Sequence, residues 1–324
     1  MHPCTVLSCG IVVADLVSHP FTGLPTPGTL TLVDEIRFCQ GGSAASTAID
    51  LVTMGVPSAV VGLVGDDPLG RGLREAVAAG GADASHIAAH PTLATPCSFV
   101  LVDPDGERTF IHNLGSQAEL APDHVPLAEA RAAGAEHLHL AGYNVLPAME
   151  GTDGTAAAQL FERARALGFT TSIDTVFDST GHRWRTILPV LPHVDLFCPN
   201  LVEARAITSQ DEPLAALDAL FDLGVRHTVA VTMGEHGALL ARLGGPVVHV
   251  SAPGVHVVDG TGAGDAFTAA MIAGLLEGLA LDVQGRLACA AGGLAASAVG
   301  ATAGIRSRGE IEKLAATLDV TVAR

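Results

Sequence analysis

The sequence predicts an α/β fold: a mostly parallel central sheet covered by helices on both faces, with a small β-sheet projecting from it. Three observations carry this. After Pro122, short apolar runs at 137–140, 170–173, 194–197 and 228–232 alternate with helical patterns. Such βαβ alternation builds a parallel sheet buried on both sides. Hydrophobic residues make up 48% of the chain but aromatics only 4%, so the core is built from Ala, Val and Leu, which suits helices layered on parallel strands. Two stretches, about 12–38 and 96–114, contain runs that alternate apolar and polar residues as half-exposed strands do, and do not fit a two-sided sheet. At 324 residues, with no internal repeat or low-complexity linker, the chain reads as one domain, 1–324, carrying an inserted small sheet.

The elements follow in order. Residues 6–13 are apolar and β-branched, a buried strand. Residues 29–38 alternate, a half-exposed strand. Residues 42–54 form a small-residue helix, 59–64 a buried strand and 69–79 a helix. The runs 98–102 and 108–112 flank Asp103-Pro104-Asp105-Gly106, a hairpin turn signal. A β-rich patch spans 238–258, and the C-terminal third is helical.

Charge and cysteines exclude several function classes. A net charge of −17 argues against nucleic acid or an anionic membrane as partner. The six cysteines, Cys4, Cys9, Cys39, Cys97, Cys198 and Cys289, contain no C-x-x-C pair and read as reduced, mostly buried thiols. The N-terminus lacks a basic region followed by an apolar stretch, and no apolar run is long enough to span a bilayer. A cytoplasmic protein is expected.

The segment Val257 to Ala270 carries the chemistry. Gly260, Gly262 and Gly264 alternate, Asp265 follows at once, and a small apolar run then reads as a helix. Glycines before a helix let its first N–H groups point outward together, and with the helix dipole they form an anion site. A carboxylate beside a phosphate site is suited to accept the proton of a hydroxyl that attacks phosphorus. Asp265 at the third Gly position excludes a G-x-G-x-x-G fingerprint. Lys313, the only lysine, lies too far along the chain for a Walker A loop. A plain glycine-rich turn capped by an aspartate is the competing reading.

Four motifs in order resemble the ribokinase-like (PfkB) carbohydrate kinases: Gly41-Gly42 before a small-residue helix, Asn200-x-x-Glu203, Thr232-x-Gly234-x-x-Gly237, and Gly262-Ala263-Gly264-Asp265. The resemblance runs from Val6 to about Ile305. It implies a ribokinase-like fold whose small sheet is a lid over the substrate, and an ATP-dependent kinase that phosphorylates a hydroxymethyl group of a sugar or sugar-like molecule. Asp265 is then the general base, and Gly262, Ala263 and Gly264 hold the transferred phosphate. Asp15, Gly41, Gly42 and Ser46 face the sugar. Asn200, Glu203, Thr232, Gly234 and Gly237 line the nucleotide, Cys289 borders the adenine, and Glu203 organises Mg2+ through water. Asp259 matches the aspartate that helps hold K+ in potassium-activated relatives, near Ala298, Gly300 and Ala301. A homodimer through the lid is also compatible with the resemblance.

Other readings of the same residues stand beside these. Asn200 and Glu203 also fit a helix capping box, and Thr232 to Gly237 fit a β-turn. Arg108, His112, Asn113 and Tyr143 are further pocket candidates, equally readable as lid-surface or packing residues. His137 and His139 share a strand face as ordinary strand residues. The family commonly has Asn where this chain has Ser46, and ribokinase has Asn where this chain has Val13. These departures argue against ribose as the preferred acceptor. A nucleoside kinase of the same fold and a sugar-binding protein without catalysis are the alternatives.

Overall fold

The computed structural model describes residues 1–24, 26–104, 108–176, 181 and 183–324, with backbone only at 108 and 183. In chain order the elements are β1 (Val6–Gly10), β2 (Val13–His19), β3 (Glu35–Gly41), α1 (Ser43–Thr53), β4 (Ser58–Gly65), α2 (Pro68–Ala79), β5 (Asp83–His90), β6 (Cys97–Val102) and β7 (Arg108–Asn113). There follow α3 (Leu127–Ala132), β8 (His137–Tyr143), α4 (Pro147–Glu150), α5 (Thr155–Ala166), β9 (Thr170–Thr175), β10 (Leu196–Phe197), α6 (Leu201–Thr208) and α7 (Pro213–Asp222). The last elements are β11 (Thr228–Thr232), β12 (Ala238–Arg242), β13 (Val247–Val250), α8 (Ala263–Leu276), α9 (Leu281–Ala296), α10 (Arg308–Ala315) and β14 (Val320–Val322).

The main sheet has the order β14-β13-β12-β11-β10-β9-β8-β1-β4-β5. It is parallel from β11 to β5 and antiparallel from β11 to β14. Each parallel strand except the edge strand β5 buries both faces, so its residues alternate between two cores. Leu7 and Cys9 join the cluster that includes Phe161 and Leu217 of α5 and α7, while Val6 joins the cluster of α8 and α9 on the other side. Helix α1 packs on that second side, against α8.

The separate sheet has the order β3-β2-β6-β7 and is the lid. The strand expected over 6–13 divides here: β1 stops at Gly10, and Val13 begins the lid. The strand expected from Thr29 starts only at Glu35, the residue opposite His19 at the end of β2. The Asp105-Gly106 half of the expected hairpin turn lies outside the described residues, although β6 and β7 do pair antiparallel. β5 carried no strand signal. It is an edge strand, paired only to β4, and its polar sequence Asp-Ala-Ser-His reflects that half-exposed position. No described helix is long and apolar enough to cross a membrane.

Candidate active site

The site gathers at the carboxyl ends of the parallel strands, where open α/β sheets bind ligands. Helix α8 opens it. Its cap, Gly262, has φ 77°, and a Cβ there would overlap the Ala301 carbonyl. Only glycine fits such a left-handed position in so tight a place. The chain therefore enters α8 abruptly, and the first N–H groups of the helix face outward. Gly264, by contrast, is an ordinary helical residue with open space where a Cβ would go.

That open space belongs to a cavity of about 610 Å³. Thr232, Gly234, Gly237, Ala263, Gly264 and Cys289, five expected from two separate motifs and one from a late helix, all line it. Pro253, Val255, Val257, Phe267, Gly292 and Gly293 complete an apolar slot that sequence reasoning did not find. These residues are ordinary in type and come together only through the packing of α8 on α9 and of the segment after β13 against α9.

Asn200 and Glu203 cap α6 reciprocally: the Glu203 N–H donates to Asn200 Oδ1 at 2.9 Å, and the Asn200 N–H donates to Glu203 Oε2 at 3.0 Å. The capping reading is thus realised, and it fixes a buried carboxylate near the end of β9. Burial pushes the Glu203 carboxyl up to about 7, against the hydrogen bonds from Asn200.

Asp265 sits in the first turn of α8. Burial raises its pKa to about 6, and the hydroxyls of Ser43 and Ser46 on α1 pull it back down. Two further carboxyls, absent from the sequence reading, crowd it. Asp174, at the end of β9, is held well above the usual carboxylate range by burial and then by the charges of Asp265 and Glu203. Asp50, buried on α1, is raised by burial and by Asp265. No described Arg or Lys pairs with any of these four acids. The donor set is of hard carboxyl oxygens, which suits a hydrated divalent cation, whose charge would favour their ionised forms. Among the described residues no cluster makes an all-protein metal cage.

On the lid side, Asp15 of β2 is buried against Gly41, where a Cβ would overlap its carboxylate. Gly42 then starts α1, which brings Ser43 and Ser46 to Asp265. Gly41, Gly42 and Asp265 are therefore linked through one helix. His112 lies on the same lid face as Asp15. Arg108 is on β7, with its side chain outside the described residues.

Tyr143 does not line this cleft. Its ring is fully buried, and its hydroxyl donates to the Thr186 carbonyl at 2.8 Å. The β8–β9 register shifts between Leu140 and Tyr143. Asn113 is exposed and accepts from the Gly115 N–H in a turn. His137 and His139 are buried in a hydroxyl network with Thr170 and Ser172, and burial lowers both to about 3. Asp259 is buried. Its Oδ1 accepts from the Thr261 N–H at 2.8 Å and its Oδ2 from the Gly300 N–H at 2.7 Å, which ties the anion loop to the 298–301 segment.

Comparison with known proteins agrees with this geometry. The model of the pfkB family carbohydrate kinases matches residues 5–308. The chain is 31% identical to a fructokinase of Klebsiella pneumoniae over 295 residues, covering 85% of this chain and 91% of that protein. The solved structure of Arabidopsis thaliana ribokinase complexed with ribose and ATP superposes with TM-score 0.82 at 24% identity, covering 97% of this chain and 99% of that one. A candidate ribokinase II from E. coli in complex with ATP and Mg2+ gives TM-score 0.82 at 23% identity, covering 96% and 98%. The chain belongs to the pfkB family and is a carbohydrate kinase, a phosphotransferase with an alcohol group as acceptor.

Proposed function

We propose that the protein transfers the γ-phosphoryl group of ATP to a hydroxymethyl group of a sugar or sugar-like acceptor, with Asp265 as general base. The observation that carries this is the place of Asp265: in the first turn of the helix whose N-terminus borders the 610 Å³ cavity, and against the helix that starts from Gly42. The acceptor oxygen forms a bond to the γ-phosphorus, the bond from that phosphorus to the β,γ-bridging oxygen breaks, and ADP leaves. Asp265 takes the hydroxyl proton. The N–H groups at 262–264 face the charge on the transferring phosphoryl, and the cleft under the lid keeps water from competing as acceptor. Mg2+, when bound, neutralises phosphate charge; Glu203 would hold it through water, with Asp174 close by. Asp15 accepts from acceptor hydroxyls.

ATP consumption over a panel of ketoses, aldoses, sugar acids and nucleosides tests this. Turnover with sugars supports it, and no turnover with any member overturns it. One observation favours the nucleoside alternative: Phe110, on the same lid face as His112, is 54% exposed and offers a stacking platform. A nucleoside outperforming every sugar would establish that reading.

We also propose that Asp259 supports a K+ site, because it anchors the anion loop to the carbonyl-bearing 298–301 segment. Activity is expected to rise with K+ over Na+ at constant ionic strength; a flat response discards the site. A homodimer through the lid is supported by Ile36, Phe38, Phe99 and Ile111, which are exposed on its other face, with Phe38, Phe99 and Ile111 in cross-strand register through Leu16. Sedimentation equilibrium is expected to give twice the chain mass, and a monomer at micromolar concentration rejects the dimer. A cytoplasmic location fits the six free cysteines and the need for ATP.

A further inference from the structure

A row of polar side chains crosses the inner face of the lid. Asp15 of β2 is opposite Ser98 of β6, and Ser98 is opposite His112 of β7. Cross-strand partners share a face. Ser98 Oγ lies 3.1 Å from His112 Nδ1, and His112 Nε2 lies 3.2 Å from Gln117 Nε2. Gln117 is fully buried, and its Nε2 also donates to the Val145 carbonyl at 3.4 Å.

With the Gln117 amide oriented by the Val145 carbonyl, the contacts assign one proton order to the row. The Val145 carbonyl can only accept, so the group facing it is the amide NH2 of Gln117 rather than its oxygen. The same NH2 faces His112 Nε2, which must then be the bare, accepting nitrogen. A neutral imidazole carries its one proton on the other nitrogen, so His112 Nδ1–H donates to Ser98 Oγ. Ser98 receives that bond, and its own hydroxyl proton is left to donate onward. Desolvation lowers the pKa of His112 and supports the neutral form.

We propose that Gln117 and His112 are positioning residues that set Ser98 as a hydrogen-bond donor beside the acceptor Asp15, so that the lid reads two neighbouring oxygens of the acceptor substrate. One is a hydroxyl that donates to Asp15. The other, a hydroxyl, ring or carbonyl oxygen, accepts from Ser98. The pair takes over the recognition that an amide at Val13 or Ser46 would give, and it selects uncharged sugars with adjacent oxygens. The substrate side of this inference rests on the kinase reading above; the proton order of the lid does not.

Two measurements therefore separate the inference from that reading. In the unliganded protein at neutral pH, 15N NMR of His112 is expected to show a protonated Nδ1 and a bare Nε2. Gln117→Glu replaces the donor by a carboxylate acceptor and is expected to move the proton to Nε2. A wild-type His112 already protonated on Nε2 overturns the relay, whether or not any acceptor is phosphorylated. In turnover with D-fructose, or with the best acceptor of the panel if fructose is inactive, Ser98→Ala and Gln117→Glu are each expected to raise the acceptor KM about 10-fold or more, with the ATP KM unchanged. Ser98→Thr, which keeps the hydroxyl, is expected to stay within about 3-fold of wild type. An unchanged acceptor KM in Ser98→Ala, in a protein with wild-type Tm, overturns the role of Ser98. A parallel rise in the ATP KM would overturn it too, because it would show general distortion.

Discussion

Asp265→Asn is expected to lower kcat by roughly three orders of magnitude while ATP binding survives, because general-base removal costs about 10²- to 10⁴-fold and the amide cannot take the proton. Asn keeps the size of the side chain and its place in the first turn of α8, so the anion loop is undisturbed. Isothermal titration with ATP separates binding from turnover; near-normal kcat would remove Asp265 as the base. The same residue sets a pH limb. Burial lifts Asp265 to about 6, and burial with the neighbouring acids raises Asp174 beside it too. A base works only when ionised, so kcat/KM is expected to fall as pH drops through about 6 and to be steady above it. The apparent midpoint belongs to the crowded acids together rather than to one of them. Magnesium, when bound, would shift it downward, since a cation nearby favours the ionised forms.

The parts of the site that were legible in the sequence are those built from short local patterns. Gly262 to Asp265 and the Asn200–Glu203 cap are contained within one turn of chain, and their residue types already state the backbone geometry they need. Thr232, Gly234 and Gly237 are a strand end and turn of the same kind. Asp174 and Asp50 were not legible. Each is a single acid in an otherwise unremarked strand or helix, and its role arises when the end of β9 and one face of α1 reach α8 from sites far apart in the chain. Tyr143 misled for the converse reason: an aromatic at a strand end looks like a pocket wall, but the register shift in β8 seats it in the core. Strand limits show the same division. Alternation over 29–38 marked a strand that could be formed, yet only residues from Glu35 have a partner in β2. β5 has little alternation and still pairs, because β4 offers it an open edge.

Gly262→Ala is expected to reduce kcat/KM for ATP by about 100-fold, the second large effect in this site. Glycine before a phosphate-binding helix can serve two physical needs, and here they fall on different residues. Gly262 serves the backbone: with φ 77° and the Ala301 carbonyl where a Cβ would stand, any side chain costs strain and forces the 298–301 segment or the start of α8 to move. A left-handed non-glycine residue alone costs about 1–3 kcal/mol. The overlap adds to it and tilts the first N–H groups off the phosphate, where small misplacements cost large factors in rate. Gly264 serves the cavity: its backbone is ordinary helix, and its missing side chain leaves room beside the start of α8. Gly264→Ala is therefore expected to keep the wild-type Tm and raise the ATP KM, whereas Gly262→Ala lowers Tm and kcat together. Thermal unfolding and steady-state kinetics on the two variants read this contrast directly. Wild-type kcat and Tm in Gly262→Ala would show that the loop does not depend on its left-handed turn.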